Sequence, residues 1–262
     1  MTIRIFQIDA FANSLFRGNP AAICPLEKWL PDSVLQSIAA ENNLAETGFY
    51  IRTGDHFSIR WFTPETEVDL CGHATLAAAY VVFTYDKYKS ESIRFDSRSG
   101  PLAVTRKGDS LVLDFPADVV SPAPLLDEFV RGLGAPPAEA YRGKSDYMLV
   151  YSSQQDITGI IPDFLLLSKI PCRGIIVTAP GETVDFVSRF FAPLSGVPED
   201  PVTGSAHTTL APYWSRRLGK SVLTAQQLSK RGGSLQCTIA GDRVWIAGQA
   251  VPYLIGEIDI PG

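Results

Sequence analysis

Residues 48–64, GFYIRTGDHFSIRWFTP, and residues 174–193, GIIVTAPGETVDFVSRFFAP, carry one pattern at a separation of 126 residues, from Gly48 to Gly174. In each, a run rich in β-branched and aromatic residues reaches a polar turn containing glycine and then resumes, which reads as strand, turn, strand. A second pair lies downstream: SGPLAVTRKGDSLVLDF from Ser99 and GGSLQCTIAGDRVWIAG from Gly232, 133 residues apart. Both set a Gly-Asp turn, Gly108-Asp109 or Gly241-Asp242, between alternating strands, as a hairpin requires. Between the members of these pairs, EVDLCGHATLAAAY in the first half and PEDPVTGSAHTTLAPYW in the second each run from a polar, glycine-containing loop into an apolar helix. Three matches in one order indicate a duplicated unit of about 130 residues, the size of a small domain.

The expected halves are residues 1–117 and 118–262, with the last strand able to pack back on the N-terminal half. Within the first copy, SVLQSIAAE places apolar residues at helical spacing, and Pro31 suits the first turn of a helix near 31–41. The proline-rich FPADVVSPAPLLDE stretch reads as the linker. The fold class is therefore α+β, with a mixed sheet and one buried central helix per half.

Composition narrows the function. Apolar residues make up 45% of the chain and charged residues 19%, so it folds around a core rather than staying disordered. The net charge is −5 and the basic residues are scattered, which leaves no footprint for nucleic acid or an anionic membrane. The opening MTIRIFQIDAFANS alternates like a strand and lacks the layout of a signal peptide, while ATLAAAYVVF suits a core helix, so a cytoplasmic protein is expected. Cys24, Cys71, Cys172 and Cys237 include no CxxC pair, and neither a zinc site nor a disulfide framework is indicated. GxGxxG after a strand, GxxxxGK[ST], HExxH and GxSxG are all missing, so nucleotide, metal and serine-hydrolase chemistries lack support.

The two loop-helix junctions, CGHAT at 71–75 and TGSAH at 203–207, hold the candidate chemistry. Small residues at a helix start leave backbone N–H groups and the positive end of the dipole free for an anion, with a carboxylate as the natural guest. The plain alternative is that Thr203 and Ser205 only cap a helix. Two of the three histidines, His73 and His207, lie in these junctions, where an imidazole is expected to stay neutral; a buried core role is the competing reading for both. Three carboxylates stand nearby: Glu46 in NNLAETGFY, and Glu199 and Asp200 in PEDPVTGSA. Partial burial among apolar neighbours is expected to raise the pKa of Glu46 toward that of a usable base, against the alternative of a solvated surface residue. By the 126-residue offset, its counterpart is Cys172. Asp200 precedes Pro201, which restricts it to extended geometry. Cys71 is either a thiolate base at a helix start or a small buried residue.

These motifs resemble the PhzF-like phenazine-biosynthesis isomerases, within the diaminopimelate-epimerase-like fold. The resemblance rests on IDAF near Asp9, RGNPAAI around Asn19, NNLAETGFY around Glu46, TPETEVDLCGHATLAAA and EDPVTGSAH, in order across nearly the whole chain. It implies two pseudo-symmetric halves, each with a barrel-like sheet around a central helix, an active site between them, a homodimer, and proton transfer without a cofactor. It also implies Glu46 as general acid and base with His73, Asp200 and Ser205 as companions. Gly72, Ala74, Thr203, Gly204 and Asn19 would line the substrate site. The epimerase branch of that fold uses two cysteines; here Cys71 stands at the first place and Pro201 or a neighbour at the second.

The expected function is thus a cofactor-independent isomerase that shifts a proton in a small carboxylic acid. An amino-acid racemase or epimerase using Cys71 and a carboxylate, and a ligand-binding protein without catalysis, are the alternatives.

Overall fold

The computed structural model describes residues 1–260, which form two compact units. The first comprises Met1–Asp114 together with the chain from Ala247 onward, and the second comprises Phe115–Ile246.

In the first unit the elements run β1 (Thr2–Ala10), β2 (Asn19–Leu26), α1 (Asp32–Asn42), β3 (Glu46–Thr53), β4 (His56–Phe62), β5 (Glu67–Val68), α2 (Gly72–Thr84), β6 (Ser92–Ser97), β7 (Gly100–Lys107) and β8 (Ser110–Pro116). Starting from β1, successive neighbours pair antiparallel to β2, parallel to β3, antiparallel to β4, parallel to β6 and antiparallel to β7. Parallel neighbours need a crossover, and α1 and α2 supply the two crossovers.

The second unit contains β9 (Ser121–Pro122), α3 (Asp127–Leu133), β10 (Glu139–Arg142), β11 (Asp146–Val150), α4 (Gln154–Gly159), α5 (Phe164–Leu167), β12 (Gly174–Pro180), β13 (Phe186–Phe191), α6 (Gly204–Leu218), β14 (Val222–Gln227), β15 (Gly233–Ala240) and β16 (Arg243–Gly248). From β10 the pairing again runs antiparallel to β11, parallel to β12, antiparallel to β13, parallel to β14 and antiparallel to β15. The duplicated order of strand senses is the structural counterpart of the repeated sequence. The last strand, β17 (Ala250–Asp259), pairs antiparallel with β1 and so belongs to the first unit.

Each unit is built around its long helix. Helix α2 buries ten of its thirteen residues and packs against β1, β2, β3, β7 and β17, because GHATLAAAYVVF has apolar or small residues on every side. Helix α6 is amphipathic, burying Leu210, Ala211, Tyr213 and Trp214 while Arg216 and Arg217 occupy its last turn. Its Pro212 has no N–H to offer the carbonyl of Thr208, and the backbone N–H of Asp118 takes that carbonyl at 3.0 Å instead. Phe6 and Phe49 in the first unit, and Phe186 and Phe191 in the second, are fully buried, each contributing about 1.5–3 kcal/mol through removal from water.

Two local features place the site residues. Helix α1 is capped by Pro31, one residue outside its first turn, and ends at Asn43, whose left-handed φ of 48° turns the chain so that Glu46 opens β3. Gly18, with φ +67°, precedes Asn19; a Cβ there would lie 2.2 Å from the carbonyl oxygen of Ala10, so only glycine fits.

Candidate active site

In the first unit, Asn19 at the start of β2, Glu46 at the start of β3, and Cys71 and His73 at the start of α2 converge. His73 Nε2 lies 3.2 Å from Glu46 Oε2. On the other side of the ring, His73 Nδ1 lies 3.2 Å from Asn19 Nδ2 and 3.5 Å from Cys71 Sγ. Asn19, Cys71 and His73 are buried. Glu46 keeps 18% of its side chain accessible against 6% for His73, so the carboxylate is the member of the cluster open to a solute.

The contact between Glu46 and His73 is that of an ion pair. Oε2 and Nε2 are near enough to attract but not aligned for a hydrogen bond, and both are buried polar atoms with no hydrogen-bond partner. Such atoms are costly to leave unsatisfied. Burial works against ionising Glu46, yet the charge of His73, with a smaller contribution from Cys71, outweighs burial and holds the carboxyl below its usual range. This reverses the expected upward shift, because that expectation counted the apolar neighbours and not the imidazole. Burial likewise opposes a charge on His73, but the acidic groups around it prevail and push its pKa well above the ordinary imidazole value. Burial and the Glu46 charge push the Cys71 thiol up to about 11, so at neutral pH it is protonated. The direction of the His73 shift is the opposite of that expected for a ring at a helix start.

Glu46, Cys71 and His73 place one ligand atom each within 4.8 Å of one another.

In the second unit, Asp200 accepts a hydrogen bond from the hydroxyl of Thr203. The buried Gln227 clamps this loop: its amide donates to the Asp200 carbonyl at 2.7 Å and to Thr203 Oγ1 at 3.1 Å, and its Oε1 accepts from the Thr203 N–H at 2.8 Å. The polar groups of Thr203 are thus engaged within the protein. Gly72 and Ala74 lie in the first turn of α2, and Gly204 and Ser205 open α6. Ser205 Oγ accepts from Arg173 at 2.9 Å, and Arg173 forms a two-pronged ion pair with Asp146. Glu199 pairs through both oxygens with Arg189, at 2.7 and 3.0 Å, and Arg189 also ties down the carbonyls of Ile157 and Ile160, a structural arrangement. His207 is fully buried, shares Nδ1 with the Thr203 carbonyl at 2.9 Å, and is pushed down to about 4 by burial, so it is a neutral core residue.

The strand registers revise two correspondences. Glu46 pairs with Ala21 at the start of β3, and Gly174 pairs with Asp146 at the start of β12, so Gly174 and not Cys172 occupies the place of Glu46. A Cβ at Gly174 would lie 2.1 Å from the ring of Phe190, which fills that space. Cys71 and Thr203 are the residues that precede their helices, so Thr203 rather than Pro201 stands where a second cysteine would be needed. Sequence reading missed Gln227, Arg173 and Asp146; only the position of Arg173, immediately before the matching glycine, hinted at a role.

A sequence model described as PhzC-PhzF, phenazine biosynthesis-like protein, matches residues 8–256. An uncharacterized isomerase of Pseudomonas aeruginosa is 50% identical over 260 residues, covering 99% of this chain and all of that one. The crystal structure of a phenazine biosynthesis protein of the PhzF family from Enterococcus faecalis superposes with a TM-score of 0.97 at 48% identity, covering 99% of this chain and 100% of that chain. A hydroxyproline epimerase from Agrobacterium vitis, solved with bound trans-4-hydroxy-L-proline, shares the fold with a TM-score of 0.63 at 9% identity, covering 98% of this chain and 92% of that one. The fold is the diaminopimelate-epimerase-like fold.

Proposed function

Because the chain belongs to the PhzC-PhzF family of phenazine biosynthesis-like proteins and is an isomerase of the PhzF-like type, we propose that it shifts a proton within a small carboxylic acid, cyclic or open-chain, with Glu46 as general acid and base and no cofactor. The observation that carries this reading is the buried, unaligned contact between Glu46 Oε2 and His73 Nε2. The lowered pKa keeps Glu46 ionised at neutral pH and ready to accept a proton. In the forward step a C–H bond of the substrate breaks, its electron pair enters the conjugated system, and the proton goes to Glu46. In the second step the Glu46 O–H bond breaks and the proton joins a different carbon, restoring the carboxylate. His73 holds Glu46 in place and stabilises its charge between turnovers, while Asp200 and Ser205 serve as further active-site companions. General acid–base catalysis of this kind contributes about 10²–10⁴-fold.

Racemisation through Cys71 is the weaker reading, since its thiol is protonated and Thr203 occupies the second cysteine place. The bound hydroxyproline of the Agrobacterium epimerase supports a small carboxylate as the substrate class. A homodimer forms part of the proposal and is checked by sedimentation. The deciding experiment is solvent-deuterium exchange over a panel of small cyclic and amino carboxylic acids, read by mass spectrometry. Wild-type protein incorporates label into one class of acid and Glu46→Gln does not; full exchange by a folded Glu46→Gln protein overturns the assignment, and no exchange by wild type with any acid favours a ligand-binding protein.

A further inference from the structure

We infer that Glu46, Cys71 and His73 form a binding site for a zinc ion, and that zinc bound there stops proton transfer. The metal site stands on the donor atoms alone, whereas the inhibition rests on the reading of Glu46 as the proton carrier. The donors come from the start of β3 and the start of α2, so no compact motif such as CxxC or HExxH announces them. Each side chain offers one ligand atom, and the three atoms lie within 4.8 Å of one another. A tetrahedral zinc ion, with bonds of about 2.0–2.3 Å, holds its donors about 3.3–3.7 Å apart. Separations of 3.2 Å between Glu46 Oε2 and His73 Nε2, and of 3.5 Å between Cys71 Sγ and His73 Nδ1, are of that size. Only one ring nitrogen can bind, so the widest separation must shorten by at most about 1.5 Å.

The donor set selects the metal. Magnesium and calcium take oxygen ligands, whereas a thiolate, an imidazole and a carboxylate together suit zinc. The Glu46 carboxylate and the Cys71 thiolate match the two charges of the ion, so the filled site carries no net charge into the interior. Cys71 caps α2, and a helix start favours the thiolate form. Independently, Glu46 Oε2 and His73 Nε2 are buried polar atoms with no hydrogen-bond partner, and the His73 side chain is only 6% accessible. Glu46, 18% accessible, gives the ion its way in and leaves the fourth position to water. On binding, Zn–S, Zn–N and Zn–O bonds form from electron pairs of the protein and nothing is oxidised or reduced. The S–H bond breaks; its proton, and that of the binding ring nitrogen where it carries one, leave to solvent. A carboxylate tied to the ion is a weaker base, so Glu46 no longer accepts a substrate proton.

The test uses Co²⁺ as a spectroscopic substitute for zinc, on the full chain with a non-chelating reductant. One Co²⁺ binds per chain with the near-ultraviolet sulfur-to-cobalt charge-transfer band of a thiolate ligand, and Zn²⁺ but not Mg²⁺ displaces it. Cys71→Ser removes the band and weakens zinc binding more than about 100-fold, beyond the roughly 10–100-fold cost of losing a residue that only supports a ligand. Glu46→Gln also weakens zinc binding, and Cys172→Ser changes neither band nor affinity. In wild type, stoichiometric zinc suppresses deuterium exchange and a chelator restores it, while Cys71→Ser keeps its own exchange rate in the same zinc. No band at saturating Co²⁺ in wild type, a band that survives Cys71→Ser, a band lost in Cys172→Ser, or wild-type zinc affinity in Glu46→Gln each overturn the site; the first of these needs no variant to fold. Exchange that continues with zinc bound overturns the inhibition. Zinc binding as described, with no acid exchanged by metal-free wild type, sinks the isomerase reading and leaves the site standing.

Discussion

Glu46 Oε2 and His73 Nε2 lie 3.2 Å apart with their shared hydrogen bond left unmade, so each controls the protonation of the other more than it stabilises the fold. In Glu46→Gln the burial of His73 is no longer opposed by that carboxylate, and its pKa falls from well above the ordinary 6.5 toward or below it. Titration of the His73 ring by NMR in the two proteins reads this directly; an unchanged value would mean that Glu46 is not the cause.

The same pair gives stability a pH signature. Glu46 is shifted down, so its contribution is present above its unfolded value of about 4.5 and is lost as pH falls through the lower folded value. His73 is shifted up, so its contribution is present below about 6.5 and is lost as pH rises through the higher folded value. Both contributions are complete between those two values. Melting temperature is therefore expected to decline on each side of that window by more in wild type than in Glu46→Gln, which lacks the pair.

With His73→Phe, burial of Glu46 is opposed only by the weaker contribution of Cys71, and its pKa rises. The acidic limb of the pH–rate profile then moves to higher pH, and activity at neutral pH falls by about 10²-fold or more as the base becomes protonated and loses its support. A limb that stays in place would show that some other group sets it.

Alkylation distinguishes thiol chemistry from carboxylate chemistry. Cys71 is buried with its thiol pushed up to about 11, while Cys172 is only part-buried. Iodoacetamide at pH 7.5 is expected to label Cys172 first and to leave exchange activity intact; loss of activity in step with labelling of Cys71 would restore the racemase reading.

Gln227→Leu leaves the Thr203 N–H and the Asp200 carbonyl without their side-chain partner. A cost of about 2–4 kcal/mol follows from orphaning buried polar groups. Amide exchange at Thr203 is expected to accelerate strongly, with exchange in the first unit unaffected.

The duplication was legible in the sequence because strand alternation and the Gly-Asp turns are local signals: Gly108 and Gly241 both adopt the positive φ, 60° and 65°, that such turns require. The helix over residues 32–42 was legible for the same reason. The match of Glu46 to Cys172 failed because the connection between β12 and β13 is longer than that between β3 and β4, and pattern matching from Gly48 cannot fix a strand register. The sign of the Glu46 shift was hidden because His73 reaches it from another element, 27 positions along the chain. Arg173 and Ser205, 32 positions apart, were unreadable as a pair on the same ground.

The ring of Phe190 occupying the space at Gly174 bears on stereochemistry. No acid side chain can stand at that position, so the second-unit counterpart of Glu46 carries no carboxylate. On the proposed reading Glu46 alone takes the proton and returns it, so a suprafacial rearrangement is expected. A chirally deuterated substrate would then give a product of single, predictable configuration, and some of its label would pass from one carbon to the other without ever reaching the solvent.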